Sequence, residues 1–230
     1  MWIDPLSWLF MIPGLIIAGL ASAYTHSTFE KYKRFCASSR MTGAQAAQRL
    51  LSAAGIYDVR IERVGGFLTD HYDPSARILR LSPDVFDGIS LSSIGVACHE
   101  AGHAIQHAEE YGPLGLRTNL VPLTNFASIG SYIIIPLGFL MMSREMILAG
   151  AILFGVSVLF TLVTLPVEWD ASARAKRLMV SCGIVTEKER EGASEVLNAA
   201  FMTYVASAVS ALLMLLYYLL RAGVIGGRRD

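Results

Sequence analysis

Four long apolar stretches without a charged residue constrain this chain more than any other feature. A helix needs about 20 apolar residues to cross the hydrocarbon core of a bilayer. Uncharged segments of that length occur at residues 6–24, 121–142, 146–167 and 199–220. Charged residues make up only 17% of the chain, where an ordinary soluble domain has about 25%. The sequence therefore predicts a mainly α-helical, multi-pass membrane protein with four transmembrane helices in one domain over residues 1–230.

The first stretch has a second interpretation, as a secretory signal peptide. Such a peptide begins with a basic segment, whereas Asp4 is the only charged residue before residues 6–24. Pro13-Gly14 also lies near the middle of the stretch. These features favour a transmembrane helix that is not cleaved.

The distribution of Lys and Arg predicts the orientation of the helices, because cytoplasmic loops carry an excess of both. Basic residues follow the first and third stretches, and none precedes the first. Arg144 is the only one between the second and third stretches, while the arginines of the C-terminal tail argue in the opposite direction. On balance we expect residues 25–120 and 168–198 to face the cytoplasm at the cell membrane, with the N-terminus outside.

Residues 25–120 have the pattern of a small water-facing region with helices and strands. Apolar residues recur with helical spacing between Thr42 and Gly55, which predicts an amphipathic helix. Alternating segments at 58–64 and 76–82 predict two short strands. Residues 90–110 have the pattern of one helix, which Gly112-Pro113 would end.

The helix predicted at 90–110 contains the segment His99-Glu100-Ala101-Gly102-His103. Side chains four residues apart share one face of a helix, so both imidazoles can bind one metal ion. Glu100 lies beside the first of them, where its carboxylate can accept a proton from water. This is the pattern of zinc peptidases. The alternative is a pair of polar helix histidines without a metal, but the predicted helix and the upstream strand at 76–82, a candidate for edge pairing with an extended substrate, favour the zinc site.

A catalytic zinc needs a third protein ligand, and two residues are candidates. His107 lies one turn beyond His103 on the same helix face, whereas Glu168 directly follows the third apolar stretch. Two membrane crossings separate His103 from Glu168, so both are expected on one side of the membrane. A carboxylate at the mouth of an apolar helix needs a partner, and three histidines stacked on one straight helix fit a tetrahedral site poorly. These arguments favour Glu168 and leave His107 as a helix-face or outer residue.

Four further residues are candidates for roles around the site. Asp170 is close enough to Glu168 to hydrogen-bond a ligand histidine, and Arg174 lies one turn further, where it can pair with Asp170. His71, in a polar and turn-like segment, is a candidate for the substrate cleft. Tyr204, near the start of the fourth apolar stretch, is a candidate for stabilising an oxyanion. Each also has an ordinary interpretation, as an ion pair, a capped turn or an interfacial tyrosine.

Charge and cysteine content exclude other classes of protein. The chain has 19 basic and 19 acidic residues, so it lacks the basic excess of a nucleic-acid-binding protein. Its three cysteines, Cys36, Cys98 and Cys182, are odd in number and form no C-x-x-C pair. This argues against a disulfide framework and a cysteine zinc site. We expect buried or reduced thiols.

Four segments together resemble the YugP-type neutral zinc metallopeptidases, a family of bacterial membrane proteins. They are Thr69-Asp70-His71-Tyr72-Asp73-Pro74, Leu79-Arg80-Leu81-Ser82, His99-Glu100-Ala101-Gly102-His103-Ala104-Ile105-Gln106-His107 and Leu165-Pro166-Val167-Glu168-Trp169-Asp170-Ala171-Ser172. The resemblance implies one zinc at His99 and His103, with Glu100 catalytic. The plan is also similar to the HtpX and CAAX prenyl protease group, which implies a small α+β catalytic part of the zincin type and Glu168 as the third ligand.

Three functions fit these features. The first is a metalloendopeptidase that cleaves membrane or membrane-adjacent proteins and peptides from the cytoplasmic side. The second is a site-2-type intramembrane protease, but the serines before the motif and Glu109-Glu110 after it make this helix too polar for a membrane span. The third is a membrane scaffold with a structural zinc, which would need no base at Glu100. The sequence favours the first.

Overall fold

The computed structural model describes residues 4–66 and 69–225. The described residues form seven α-helices and three β-strands: α1 (Pro5–Lys33), α2 (Gly43–Ala53), β1 (Arg60–Arg63), β2 (His71–Asp73), β3 (Ile78–Leu81), α3 (Pro83–Phe86), α4 (Leu91–Ala108), α5 (Gly112–Leu140), α6 (Arg144–Ser181) and α7 (Glu187–Arg221). They divide into two compact units. The first comprises Met1–Ala21, Leu116–Leu165 and Thr203–Asp230, and the second Ser22–Gly115 and Pro166–Met202.

The four predicted transmembrane helices are present as α1, α5, α6 and α7, each long and apolar enough to cross a bilayer. All four extend beyond the uncharged stretches. In particular, α6 continues through Pro166 and Glu168 to Ser181 without a break. Residues 168–198 are therefore the C-terminal part of α6, a short connection and the first turns of α7.

The first unit is tied together by polar contacts between its apolar helices. The Asp4 carboxylate accepts a hydrogen bond from the Tyr217 hydroxyl (3.1 Å) and forms an ion pair with Arg221 Nε (3.1 Å). This joins the start of α1 to the end of α7, two ends that an even number of membrane crossings would place on the same side. The Ser210 hydroxyl donates to the Gly14 carbonyl (3.1 Å), where small residues let α1 and α7 approach closely. A carboxylate near a membrane is costly unless it is paired, and Asp4 has two partners.

The second unit contains a three-stranded sheet in the order β1-β3-β2. β1 is parallel to β3, and β2 is antiparallel to it. The two predicted strands are confirmed as β1 and β3, but β2 occupies a segment that we interpreted as a turn. Because β3 is paired on both sides, the prediction that residues 76–82 offer a free edge to substrate is wrong. The edges of the described sheet are β1 and β2.

Helix α4 is the centre of the second unit. It starts at the N-cap Ser90, whose hydroxyl accepts from the Ser93 amide, and ends at Ala108, close to the predicted limits. Ser92 is buried and donates to the carbonyl of Phe29 (2.7 Å). The fully buried side chains of α2, β3 and α4 pack together in one core: Leu50, Leu51, Leu79, Leu81 and Ile94. This core fixes the position of the helix that contains the histidine motif.

Helix α2 has the limits that its sequence pattern predicts. Thr42 and Gln45 form a capping box at its start. Gly55 follows its end with a φ of +75°, a left-handed conformation that glycine adopts without strain.

The three cysteines are all free, as expected, but only Cys98 is fully buried. Cys182 is half-buried and Cys36 is exposed, so burial does not extend to all three free thiols.

Candidate metal centre

Helices α4 and α6 bring two histidines and one carboxylate together inside the second unit. The Nε2 atom of His99 lies 3.2 Å from Oε2 of Glu168, and the Nε2 atom of His103 lies 3.6 Å from the same oxygen. One ligand atom from each residue falls within 4.8 Å of the other two. Within residues 4–66 and 69–225, this is the one group of three or more metal-binding side chains close enough to hold an ion.

The donor set and its spacing fit zinc. Two imidazoles and a glutamate are a set found in catalytic zinc sites, with ligand atoms about 2.1 Å from the metal. Ligands at that distance around a tetrahedral ion are roughly 3.4 Å apart, which is close to both distances from Glu168. Glu168 is 2% exposed, and a buried carboxylate is costly without positive charge nearby. A divalent cation held by the three side chains would supply that charge.

The remaining ring nitrogen of each histidine has a hydrogen-bond partner. Nδ1 of His99 lies 3.1 Å from the Ser172 hydroxyl, and Nδ1 of His103 lies 2.9 Å from Oε1 of Gln106. Such outer partners orient metal-binding imidazoles. Sequence reasoning missed both residues, although Ser172 is one helical turn after Glu168 and Gln106 is one turn after His103.

Asp170 and Arg174 lie next to the site and contact each other, as we expected. Nε of Arg174 donates to Oδ2 of Asp170 at 2.5 Å, and Arg174 also pairs with Glu109. Asp170 does not form the expected direct hydrogen bond with His103 and is connected to it through Gln106. Nε2 of Gln106 donates to Oδ2 of Asp170 (2.8 Å), so the Gln106 amide lies between Asp170 and His103.

Glu100 is buried on α4, at 9% exposure, and is not part of the three-ligand group. It is close enough to influence His103. Burial alone would lower the pKa of His103, but the nearby carboxylates of Glu168 and Glu100 raise it above its ordinary value. Glu100 therefore provides a second carboxylate beside the ligand group.

The other candidate residues are not members of the three-ligand group. His107 is one turn beyond His103, and its Nδ1 atom is 2.8 Å from the Tyr72 hydroxyl. His71 is exposed on the edge strand β2, where Nδ1 contacts the Thr69 carbonyl (2.8 Å). Tyr204 belongs to α7 in the first unit. Their functional roles stay predictions.

Gly102 lets α4 and α6 approach each other at the metal centre. A Cβ atom at this position would lie 2.7 Å from the carbonyl oxygen of Ala171, a backbone atom that cannot turn aside. Ala171 sits between Asp170 and Ser172, close to Glu168 in α6. The short distance between the glutamate and the two histidines therefore depends on a residue without a side chain at Gly102.

We expect Gly102→Ala to reduce the affinity for zinc by about 10-fold or more, since metal ligands must stay within about 0.2 Å of their ideal distances. Zinc affinity is measured by competition with a coloured chelator. Gly95→Ala, on the same helix, is the matched control, because its Cβ would meet the carbonyl oxygen of Ala193 at an ordinary 3.4 Å. Equal affinities in the two variants would show that the helix spacing at Gly102 does not control the site.

Comparisons with known proteins identify the family of this chain. A family model described as "Putative neutral zinc metallopeptidase" matches residues 7–223. The "Putative membrane protease YugP" of Bacillus subtilis (strain 168) is 49% identical over 194 residues, which cover 84% of this chain and 86% of that protein. No solved structure matches the chain. The chain belongs to the family of neutral zinc metallopeptidases that the YugP-type membrane proteins represent.

Proposed function

We propose that this protein is a membrane-embedded zinc endopeptidase with His99, His103 and Glu168 as ligands and Glu100 as general base. The observation that supports it most directly is the approach of Glu168 to both Nε2 atoms, at 3.2 and 3.6 Å, beside the buried Glu100. A structural zinc site needs no such second carboxylate. The family match adds that zinc and peptide hydrolysis belong to this class of protein.

The reaction divides between the metal and the side chains of α4. When bound, zinc polarises the scissile carbonyl and lowers the pKa of water toward about 7. Glu100 accepts the proton that the attacking water gives up and returns it to the leaving amine. His99 and His103 keep their Nε2 atoms toward Glu168 because Ser172 and Gln106 hold the opposite side of each ring.

Of the two edge strands of the described sheet, we propose β2 as the one that pairs with an extended substrate. Its Tyr72 hydroxyl contacts His107 on α4, the helix that contains both ligand histidines. Peptides that add a strand to a sheet gain main-chain hydrogen bonds without needing a particular sequence. The substrate strand would therefore run beside the helix that contains the metal ligands, and His107 and His71 are the histidines closest to its path.

The substrates we propose are membrane proteins and proteins close to the membrane. Glu168 directly follows an uncharged stretch of α6, so the ligand set lies a short distance along the chain from a membrane-spanning segment. The Lys and Arg distribution supports a cytoplasmic active site. The site-2-type alternative is less well supported, because α4 packs within a protein core and is not among the described helices that suit a bilayer.

Removal of the metal tests the proposed function. The full-length protein in detergent or liposomes is expected to hydrolyse an unfolded, fluorescently labelled protein, and a chelator should abolish the activity. Addition of Zn²⁺ should restore it, while Mg²⁺ should not, because Mg²⁺ prefers oxygen ligands in octahedral geometry. Full turnover by metal-free protein would contradict the proposal. Stoichiometric zinc without turnover of any peptide library would favour the scaffold.

A further inference from the structure

The side-chain amide of Gln106 has only one orientation that satisfies its neighbours. Gln106 is completely buried on α4. Its Nε2 atom donates to the carbonyl oxygen of Val167 (2.8 Å) and to Oδ2 of Asp170 (2.8 Å). A carbonyl oxygen and an ionised carboxylate can only accept hydrogen bonds. Rotation of the amide would place its oxygen against two acceptors in a buried site, so the NH₂ group must point toward α6.

This orientation decides which nitrogen of His103 carries the proton. With its NH₂ group toward α6, Gln106 presents Oε1 to Nδ1 of His103 at 2.9 Å. An amide oxygen only accepts, so Nδ1 must be the donor. In a neutral imidazole with the proton on Nδ1, the free electron pair is on Nε2. Nε2 is the atom that lies 3.6 Å from Glu168.

We propose that Gln106 is a positioning residue that holds His103 in the tautomer needed to bind zinc. The inference rests on the proposed function, because it concerns the same metal centre. Gln106 is completely buried and is not one of the three ligand side chains, so it acts through His103 alone. Its removal therefore weakens the metal site without removing a ligand.

Asp170 and Arg174 keep the amide in place. The Asp170 oxygen that accepts from Gln106 also accepts from Nε of Arg174, whose side chain is only 14% exposed and also pairs with Glu109. The ion pair with Arg174 orients this carboxylate, whose oxygen accepts from both side chains. The role of Asp170 is thus to orient Gln106.

The two ligand histidines differ in this respect. Nδ1 of His99 contacts the hydroxyl of Ser172, and a hydroxyl can donate as well as accept. The Ser172 contact therefore permits either tautomer of His99. Only His103 has an outer partner that imposes one.

The experiment compares Gln106→Met with the wild-type full-length protein. Methionine keeps the length and apolar packing of the side chain but loses the three hydrogen bonds. Zinc affinity, measured by chelator competition, is expected to fall about 10- to 100-fold, the usual cost of losing an outer partner. NMR spectra of the metal-free protein labelled with ¹⁵N-histidine are recorded at a pH where the ring is neutral. They should show the His103 proton on Nδ1 in the wild type and a mixture of the Nδ1 and Nε2 tautomers in the variant. A purely structural role for Gln106 would leave that tautomer unchanged.

A second pair of variants covers the case in which Gln106→Met fails to fold. Gln106→Glu can still accept from Nδ1 but faces the Asp170 carboxylate, so zinc affinity should fall. Gln106→Glu combined with Asp170→Asn restores a donor toward residue 106 and should recover most of the lost affinity. No recovery, or a Gln106→Met protein with wild-type affinity and a protonated Nδ1, would overturn the proposal. Failure of the wild type to bind zinc would instead contradict the proposed function.

Discussion

Glu100→Gln is expected to lower kcat/KM for peptide hydrolysis by about 10²- to 10⁴-fold, the range for loss of a general base, and to leave zinc bound. Glutamine has nearly the same size and shape as glutamate, but it cannot accept a proton. Glu100 is not one of the three side chains that converge on the candidate site. The measurement combines hydrolysis of a fluorogenic peptide with the zinc content of the same preparation.

The matched control for this variant is Glu62→Gln. Glu62 lies on β1 with a 44% exposed side chain and contacts Arg60 at 3.6 Å. An exposed pair of this kind contributes little to stability, and activity should stay at the wild-type level. Zinc loss from Glu100→Gln would indicate that Glu100 helps to hold the metal, and retention of most of the activity would exclude it as the base.

The membrane helices were predictable because their signal lies in single uncharged stretches of the chain. Helix α4 was predictable for a similar reason, since Ser90 caps its start, its end at Ala108 lies close to the predicted limit, and its apolar residues keep helical spacing. Strand β2 was not predictable in this way. Its three residues, His71, Tyr72 and Asp73, include two polar side chains, and the strand exists because it pairs with β3 in a register that places His71 opposite Arg80.

The residues of the candidate site also differ in how far local sequence predicts them. His99, Glu100 and His103 follow from the helical repeat alone, and Glu168 was favoured by counting membrane crossings. Gln106 and Ser172 depend on how closely α4 crosses α6. The separation of the two helices is set by the contact between Gly102 and Ala171. The local sequence of either helix does not predict this separation. For this reason Asp170 was expected to contact a histidine directly, whereas Gln106 occupies the space between them.

Glu168→Ala is expected to reduce zinc affinity by more than about 100-fold, because removal of a ligand costs more than the 10- to 100-fold loss of an outer partner. His107→Ala should keep its zinc. The Nδ1 atom of His107 is engaged by the Tyr72 hydroxyl at 2.8 Å, and the residue is absent from the ligand group. Zinc content after gel filtration, with chelator competition for affinity, compares the two variants directly.

Folding of the Glu168 variant needs a separate measurement, because Glu168 is buried beside both histidines. Alanine removes a buried charge, and the histidines that remain can be neutral, so no unpaired charge is left behind. The metal-free Glu168→Ala protein should therefore unfold at a temperature close to that of the metal-free wild type. Zinc should raise the unfolding temperature of the wild type and of His107→Ala, since a ligand at 100 times its Kd adds about 2.7 kcal/mol to the free energy of unfolding. If zinc stabilised Glu168→Ala and failed to stabilise His107→Ala, the third ligand would be His107, and all three histidine ligands would come from a single helix.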